Sequence, residues 1–122
     1  MRVLIAIPRQ EMCAALGLLL SQEPELQIVG QSGDSQELVT SLESARPDVV
    51  LLDCTLPGLP TNELLVQLHA QDPNLKVLVF CSKTESERLA RAPGACAFVD
   101  KTSHPRQLLT ALRVLQLESE YE

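Results

Sequence analysis

The chain is nearly without aromatic side chains: two phenylalanines, one tyrosine and no tryptophan among 122 residues. The stacking platforms on which single-stranded nucleic acids rest are therefore missing. Positive charge is also short. Ten Lys and Arg stand against 16 Asp and Glu, a net charge of −6, and such a surface repels phosphate backbones. No direct binding of DNA or RNA is expected of this chain. No CxxC spacing links Cys13, Cys54, Cys81 and Cys96, and His69 and His104 stand apart from any ligand pattern, which argues against zinc. The four cysteines lie in apolar segments and read as buried, reduced thiols of a cytoplasmic protein. No apolar run approaches the roughly 20 residues of a membrane span. No basic-then-apolar leader opens the chain, so neither membrane insertion nor secretion is expected.

What is present is a regular alternation. With 45% hydrophobic residues, the chain can bury the core of one domain. Five short apolar segments recur: VLIAI (3–7), LQIVG (26–30), DVVLLD (48–53), KVLVFC (76–81) and CAFVD (96–100). The first, third and fourth are continuously apolar, the pattern of central strands covered on both faces. Helical periodicity fills the gaps at 10–21, 35–45, 62–70, about 84–91 and about 105–117. Asp34 with Glu37 forms a capping-box-like start, Thr61 precedes the third helix, and Ser103 caps a last helix carrying Pro105 in its first turn. Pro47 and Pro73 stop helices ahead of strands. The sum is (βα)5, a doubly wound parallel five-stranded sheet with helices on both faces. In such sheets the functional site lies at the carboxyl ends of the strands, at the topological switch point. That rule selects Ile7 and Pro8, Asp53, Cys81 and Ser82, and Asp100 and Lys101.

The stretch RPDVVLLDCTLPGLPTNELL closely resembles the phospho-acceptor region of response-regulator receiver domains: an apolar strand ending in Asp, then a loop with Pro-Gly. RVLIA, PELQIVGQSGDSQELV and PNLKVLVF are most similar to receivers attached to helix-turn-helix DNA-binding domains. The resemblance covers residues 2–115 and implies a flavodoxin-like fold with strand order 2-1-3-4-5. The domain is assigned to 1–117, leaving 118–122 as an acidic tail or the start of a linker. By position the resemblance makes Asp53 the phospho-acceptor, Lys101 the lysine that pairs with the phosphoryl group, and Phe98 the switch aromatic. Cys81 falls where the family has Thr or Ser, whose hydroxyl contacts the phosphoryl group. Ile7 and Pro8 fall where the family has the acidic pair that holds Mg²⁺. The segment from Lys83 to Gly94 is about two residues short, so the fourth helix is expected to be stunted, ended by Pro93 before Gly94.

These departures change the chemistry. Mg²⁺ wants near-octahedral oxygen ligands, usually including one or two carboxylates. Ile7 and Pro8 offer none, Glu11 lies a helical turn further on, and Arg9 would repel a cation. Cys81 is a weaker donor than a hydroxyl. What remains is Asp53 and Lys101, expected to pair directly and lock the site in one state. The alternatives weighed are an inert relic and an acceptor that is still phosphorylated by a histidine kinase, with Mg²⁺ required only in the latter case. A redox role for Cys54 and Cys81 is disfavoured, because Cys54 follows a carboxylate and reactive thiols need a lowered pKa.

On the first helix the expected core face is Met12, Ala15, Leu16, Leu19 and Leu20. The opposite face, Gln10, Cys13, Ala14, Gly17 and Ser21, carries no charge, and Leu18 adds apolar area beside it. Gln107, Thr110, Val114 and Leu117 form a similar stripe on the last helix. The resemblance puts both helices on one side of the sheet, with charges usual there. The expectation is a homodimer or partner surface built on Cys13, Ala14, Gly17, Leu18, Thr110, Val114 and Leu117, against the plainer reading of a low-charge surface. Three classes of function compete: a non-enzymatic pseudo-receiver acting as a regulatory interaction module, a working phospho-acceptor receiver, and a small α/β enzyme binding a nucleotide or flavin. The last is weakest, since no Gly-rich turn follows the first strand. The residues favour the pseudo-receiver.

Overall fold

The computed structural model of the chain describes residues 1–82, 84, 97–101 and 105–120. Strands β1 (Arg2–Ala6), β2 (Gln27–Ser32), β3 (Val49–Asp53), β4 (Lys76–Cys81) and β5 (Ala97–Asp100) form one sheet in the order β2-β1-β3-β4-β5. All neighbours run parallel. The described helices are α1 (Gln10–Ser21), α2 (Ser35–Ala45), α3 (Thr61–Gln71) and α4 (Pro105–Glu120). The three continuously apolar strands are the interior ones, as their pattern requires. The expected fourth helix lies, apart from Thr84, outside the described residues, as do Ser103 and Cys96.

Helices cover both faces. One cluster joins Ile5, Leu51 and Phe80 of the sheet to Leu16 and Leu20 of α1 and Leu108, Leu112 and Leu115 of α4. The other joins Leu4, Val50, Leu52 and Val79 to Leu38 and Leu42 of α2 and Leu64, Leu65 and Leu68 of α3. Leucine supplies most of this core, each fully buried side chain contributing about 2 kcal/mol.

Local chemistry sets the boundaries. The Asp34 carboxylate accepts the Glu37 N–H at 2.8 Å, as the capping-box spacing predicts, while the Glu37 carboxylate accepts the N–H of Gly33, one residue before the cap, at 2.9 Å. At the other end of α2 the Arg2 guanidinium donates to the carbonyls of Ala45 and Arg46, a cation where the helix dipole is negative. Strand β2 runs to Ser32, beyond the expected end at Gly30. Pairing with β1, Ala6 opposite Ser32, carries the polar residues Gln31 and Ser32 along. Thr61 is the first residue of α3 rather than its cap. Pro60 takes the cap position and the Thr61 hydroxyl donates to the Cys54 carbonyl at 3.2 Å. Helix α4 runs to Glu120, past the expected end at Leu117.

One face was expected in the wrong phase. Cys13 belongs to the core, 4% exposed, whereas Ala15 is exposed. The buried stripe of α1 is Cys13, Leu16 and Leu20, with Met12 and Leu19 on its flank. A thiol buries readily and a lone methyl offers little apolar area, so the helix is turned toward Cys13.

Candidate functional site

The chain reverses its course across the sheet between β1 and β3, and the residues that end these strands meet there. Ala6 lies opposite Leu52, so Ile7 follows beside Asp53. Asp53 lies opposite Phe80, and Cys81 opposite Asp100. Lys101 comes next, its N–H donating to the Cys81 carbonyl at 3.0 Å.

Asp53 is 1% exposed, and a buried carboxylate is costly unless donors surround it. Its Oδ1 accepts the Thr55 N–H at 2.8 Å, the Thr55 hydroxyl at 2.7 Å and the Lys101 ammonium at 2.7 Å. The first two bonds are a local turn of the kind Asp makes with the backbone two residues on. The Leu56 N–H to the Asp53 carbonyl, 3.0 Å, tightens the same loop. The Lys101 ammonium also lies 6.0 Å from the centre of the Phe80 ring, at the limit of cation–π attraction. Short charge-assisted bonds favour the pair, and desolvation of both charges offsets part of the gain.

Ile7 is 2% exposed and packs in the cluster that contains Phe80 and Val99. Pro8 is half-buried, and Arg9 is exposed at the start of α1 with no side-chain capping bond. Where an acidic pair would reach toward Asp53, the chain offers hydrocarbon. Among the described residues no group of three or more His, Cys, Asp and Glu is placed to hold a metal ion. A Mg²⁺ ion does not fit this donor set. The Asp53 oxygen it would need is held by an ammonium, Ile7 and Pro8 carry no oxygen on their side chains, and the Thr55 hydroxyl is turned to Asp53 as a donor.

Cys81 is fully buried in the cluster beneath α2 and α3, and Phe98, half-buried, packs against the same cluster beside Val79. Cys54 is half-buried at the start of the loop after β3, its N–H donating to the Phe80 carbonyl. Cys13, Cys54 and Cys81 form no disulfide. Burial pushes the Cys13 thiol above its ordinary value.

The loop 54–60 carries residues that the sequence reading passed over. The Ser35 N–H donates to the Pro57 carbonyl at 2.9 Å, and its hydroxyl accepts the Leu59 N–H at 3.0 Å. Gly58 has φ +110°, and a Cβ there would collide with the Ser35 hydroxyl. The Pro-Gly pair announced a turn. Neither Ser35 as its anchor nor Thr55 as a ligand of Asp53 was foreseen. An Asp two residues before a Thr is the signal that pointed to the latter.

The face of α1 and α4 is only partly as expected. Leu18, Val114 and Leu117 are 70%, 48% and 52% exposed. Ala14 and Thr110 are exposed, Gly17 is half-buried, and Cys13 is absent from this surface. An Arg113–Glu23 bridge at 3.0 Å ties α4 to the turn after α1. No helix among the described residues is long and apolar enough to cross a membrane.

Residues 3–113 match the model of the response regulator receiver domain, and the chain belongs to that family. It is similar to the DNA-binding transcriptional activator DevR/DosR of Mycobacterium tuberculosis, 35% identical over 97 residues that make up 78% of this chain and 45% of that protein. It is also similar to the nitrate/nitrite response regulator protein NarL of Escherichia coli, 30% identical over 77% of this chain and 44% of that protein. The chain thus spans about half the length of the curated relatives it matches. The isolated REC domain of RcsB from Salmonella enterica serovar Typhimurium, solved with BeF3−, superposes with a TM-score of 0.87 at 24% identity, over 95% of this chain and 88% of that one. That likeness shows the fold.

Proposed function

We propose that this chain is a pseudo-receiver, a phosphorylation-independent regulatory module of a transcriptional regulator that acts through protein contacts rather than as an enzyme. The observation that carries the reading is the Lys101 ammonium 2.7 Å from Asp53 Oδ1. Ile7, in the corner where the family keeps a metal-binding acid, is closed into the apolar core. Phosphoryl transfer depends on positioning and charge neutralisation. Here the acceptor is already neutralised by a lysine, and hydrocarbon lies beside it. The relatives' names, a transcriptional activator and a response regulator, support the regulatory setting. Residues 1–117 act as the receiver unit, in which Phe98 and Cys81 keep the family's positions without its phosphoryl contacts.

The partner is a second copy of the chain, docked through α1 and α4. Leu18, Val114 and Leu117 give that face its apolar area. Its charge also differs from the rest. Over 10–21 the one charged residue is Glu11, and over 105–117 the charged residues are Arg106 and Arg113, in a chain of net charge −6. Two acidic molecules repel least where this face meets its own copy.

The test is incubation with Mg²⁺ and acetyl phosphate followed by intact mass measurement, with an active receiver as positive control. An unmodified mass is expected. A phosphate adduct that disappears in Asp53→Ala would overturn the reading in favour of a phospho-acceptor served by a histidine kinase.

A further inference from the structure

We infer that Thr55 is a positioning residue for the lock: its hydroxyl fixes the Asp53 carboxylate in the orientation that receives Lys101, and so sets how long the ammonium stays. The inference rests on the locked-pair reading and concerns what makes that pair persist. Three donors converge on one carboxylate oxygen, and two of them come from Thr55. A carboxylate oxygen has about two lone-pair sites, so Oδ1 is saturated and has none to offer another electrophile or cation.

The donors differ in origin. The Thr55 bonds form within the loop itself, two residues from Asp53, whereas Lys101 arrives from the end of β5. A carboxylate already held by its own loop loses less rotamer freedom when the lysine arrives. Thr55 is exposed while Asp53 is 1% exposed, so the hydroxyl lies at the solvent side of a buried charge. The rest of the loop is tied independently, through Ser35 to Pro57 and Leu59 and through Thr61 to Cys54. Removing the Thr55 hydroxyl therefore acts on Asp53 without releasing the loop.

The experiment compares the intact chain with Thr55→Val and Thr55→Ser by NMR, reading hydrogen exchange of the Lys101 ammonium and of the β3 backbone amides. Valine keeps the shape and the backbone N–H bond but lacks the hydroxyl, and serine restores it. Lys101 exchange in Thr55→Val should rise at least about tenfold, the factor that accompanies loss of one hydrogen bond to a charged group. It should return to the parent rate in Thr55→Ser, with β3 amides unchanged in both. Unchanged Lys101 exchange in Thr55→Val, or β3 amides that speed up in parallel, would overturn the inference. If the parent Lys101 exchanges as fast as free lysine, the locked-pair reading itself fails, whatever Thr55 does.

Discussion

The Lys101 ammonium rests 2.7 Å from Asp53 Oδ1, with 27% of the lysine side chain still open to solvent and the aspartate enclosed. One partner is thus far easier to release than the other. If Lys101 swings out, the charge left behind is buried, held by Thr55 alone among the donors described above. The pair therefore meets solvent on the lysine's side only.

That asymmetry predicts a double-mutant cycle. Lys101→Met should lower unfolding stability by about 3 kcal/mol, because it strands a buried carboxylate. Asp53→Leu combined with Lys101→Met should recover most of the loss, since two apolar groups replace a desolvated pair. Urea midpoints for the parent, both single variants and the double variant measure the coupling. Additive single effects would mean that the two charges do not interact.

Gly58 should tolerate no side chain. At φ +110° an L-residue is strained, and a methyl group would meet the Ser35 hydroxyl that anchors the loop. Gly58→Ala should cost about 2 kcal/mol, read from the thermal midpoint. Shortening the anchor with Ser35→Ala should remove part of that penalty while itself costing about 1 kcal/mol.

Cys13 makes stability depend on pH on the alkaline side. Burial raises its folded-state pKa above the ordinary 9.0, so the folded chain holds the proton longer than the unfolded chain does. The thiol's contribution is complete below pH 9.0 and declines as pH rises from there through the raised folded value. Denaturant midpoints taken from pH 8 to 10.5 should fall less steeply in Cys13→Ala than in the parent. Parallel slopes would show that the thiol titrates alike in both states.

The face of α1 and α4 predicts an oligomeric state. Ala14→Glu or Val114→Glu should convert a dimer into a monomer in sizing and light-scattering experiments without loss of helical signal, because both positions are exposed. Val66, 54% exposed on α3, lies on the other side of the sheet, and Val66→Glu should leave the dimer intact. A parent chain that is monomeric at high concentration would exclude this interface.

Much was legible in the residues alone. Short apolar runs and period-3.6 patterning announced five strands and the described helices, because burial on one face or two leaves a direct mark on the order of side chains. That pattern and the strand-end rule selected Asp53, Lys101, Ile7 and Pro8 as positions, whereas their roles as acceptor, pairing lysine and vacated acidic corner were only what the family resemblance implied. The phase of α1 was not. Five apolar residues spread over two adjacent stripes, and only contact with the sheet decided that Cys13 goes inward and Ala15 outward.

What tertiary structure decided was the company each charge keeps. Sequence placed Asp53 and Lys101 at the ends of two strands. Their meeting depends on β4 lying between β3 and β5, which brings residues far apart in the chain to one edge of the sheet. The Ser35 anchor beneath Gly58 arises in the same way, from a loop with no periodicity to read, whereas the Thr55 hydroxyl on Asp53 is a local bond two residues along the chain. Periodic burial is written into every turn of a helix and every pair of strand residues. A hydrogen bond between two loops is written only in the geometry that brings them together.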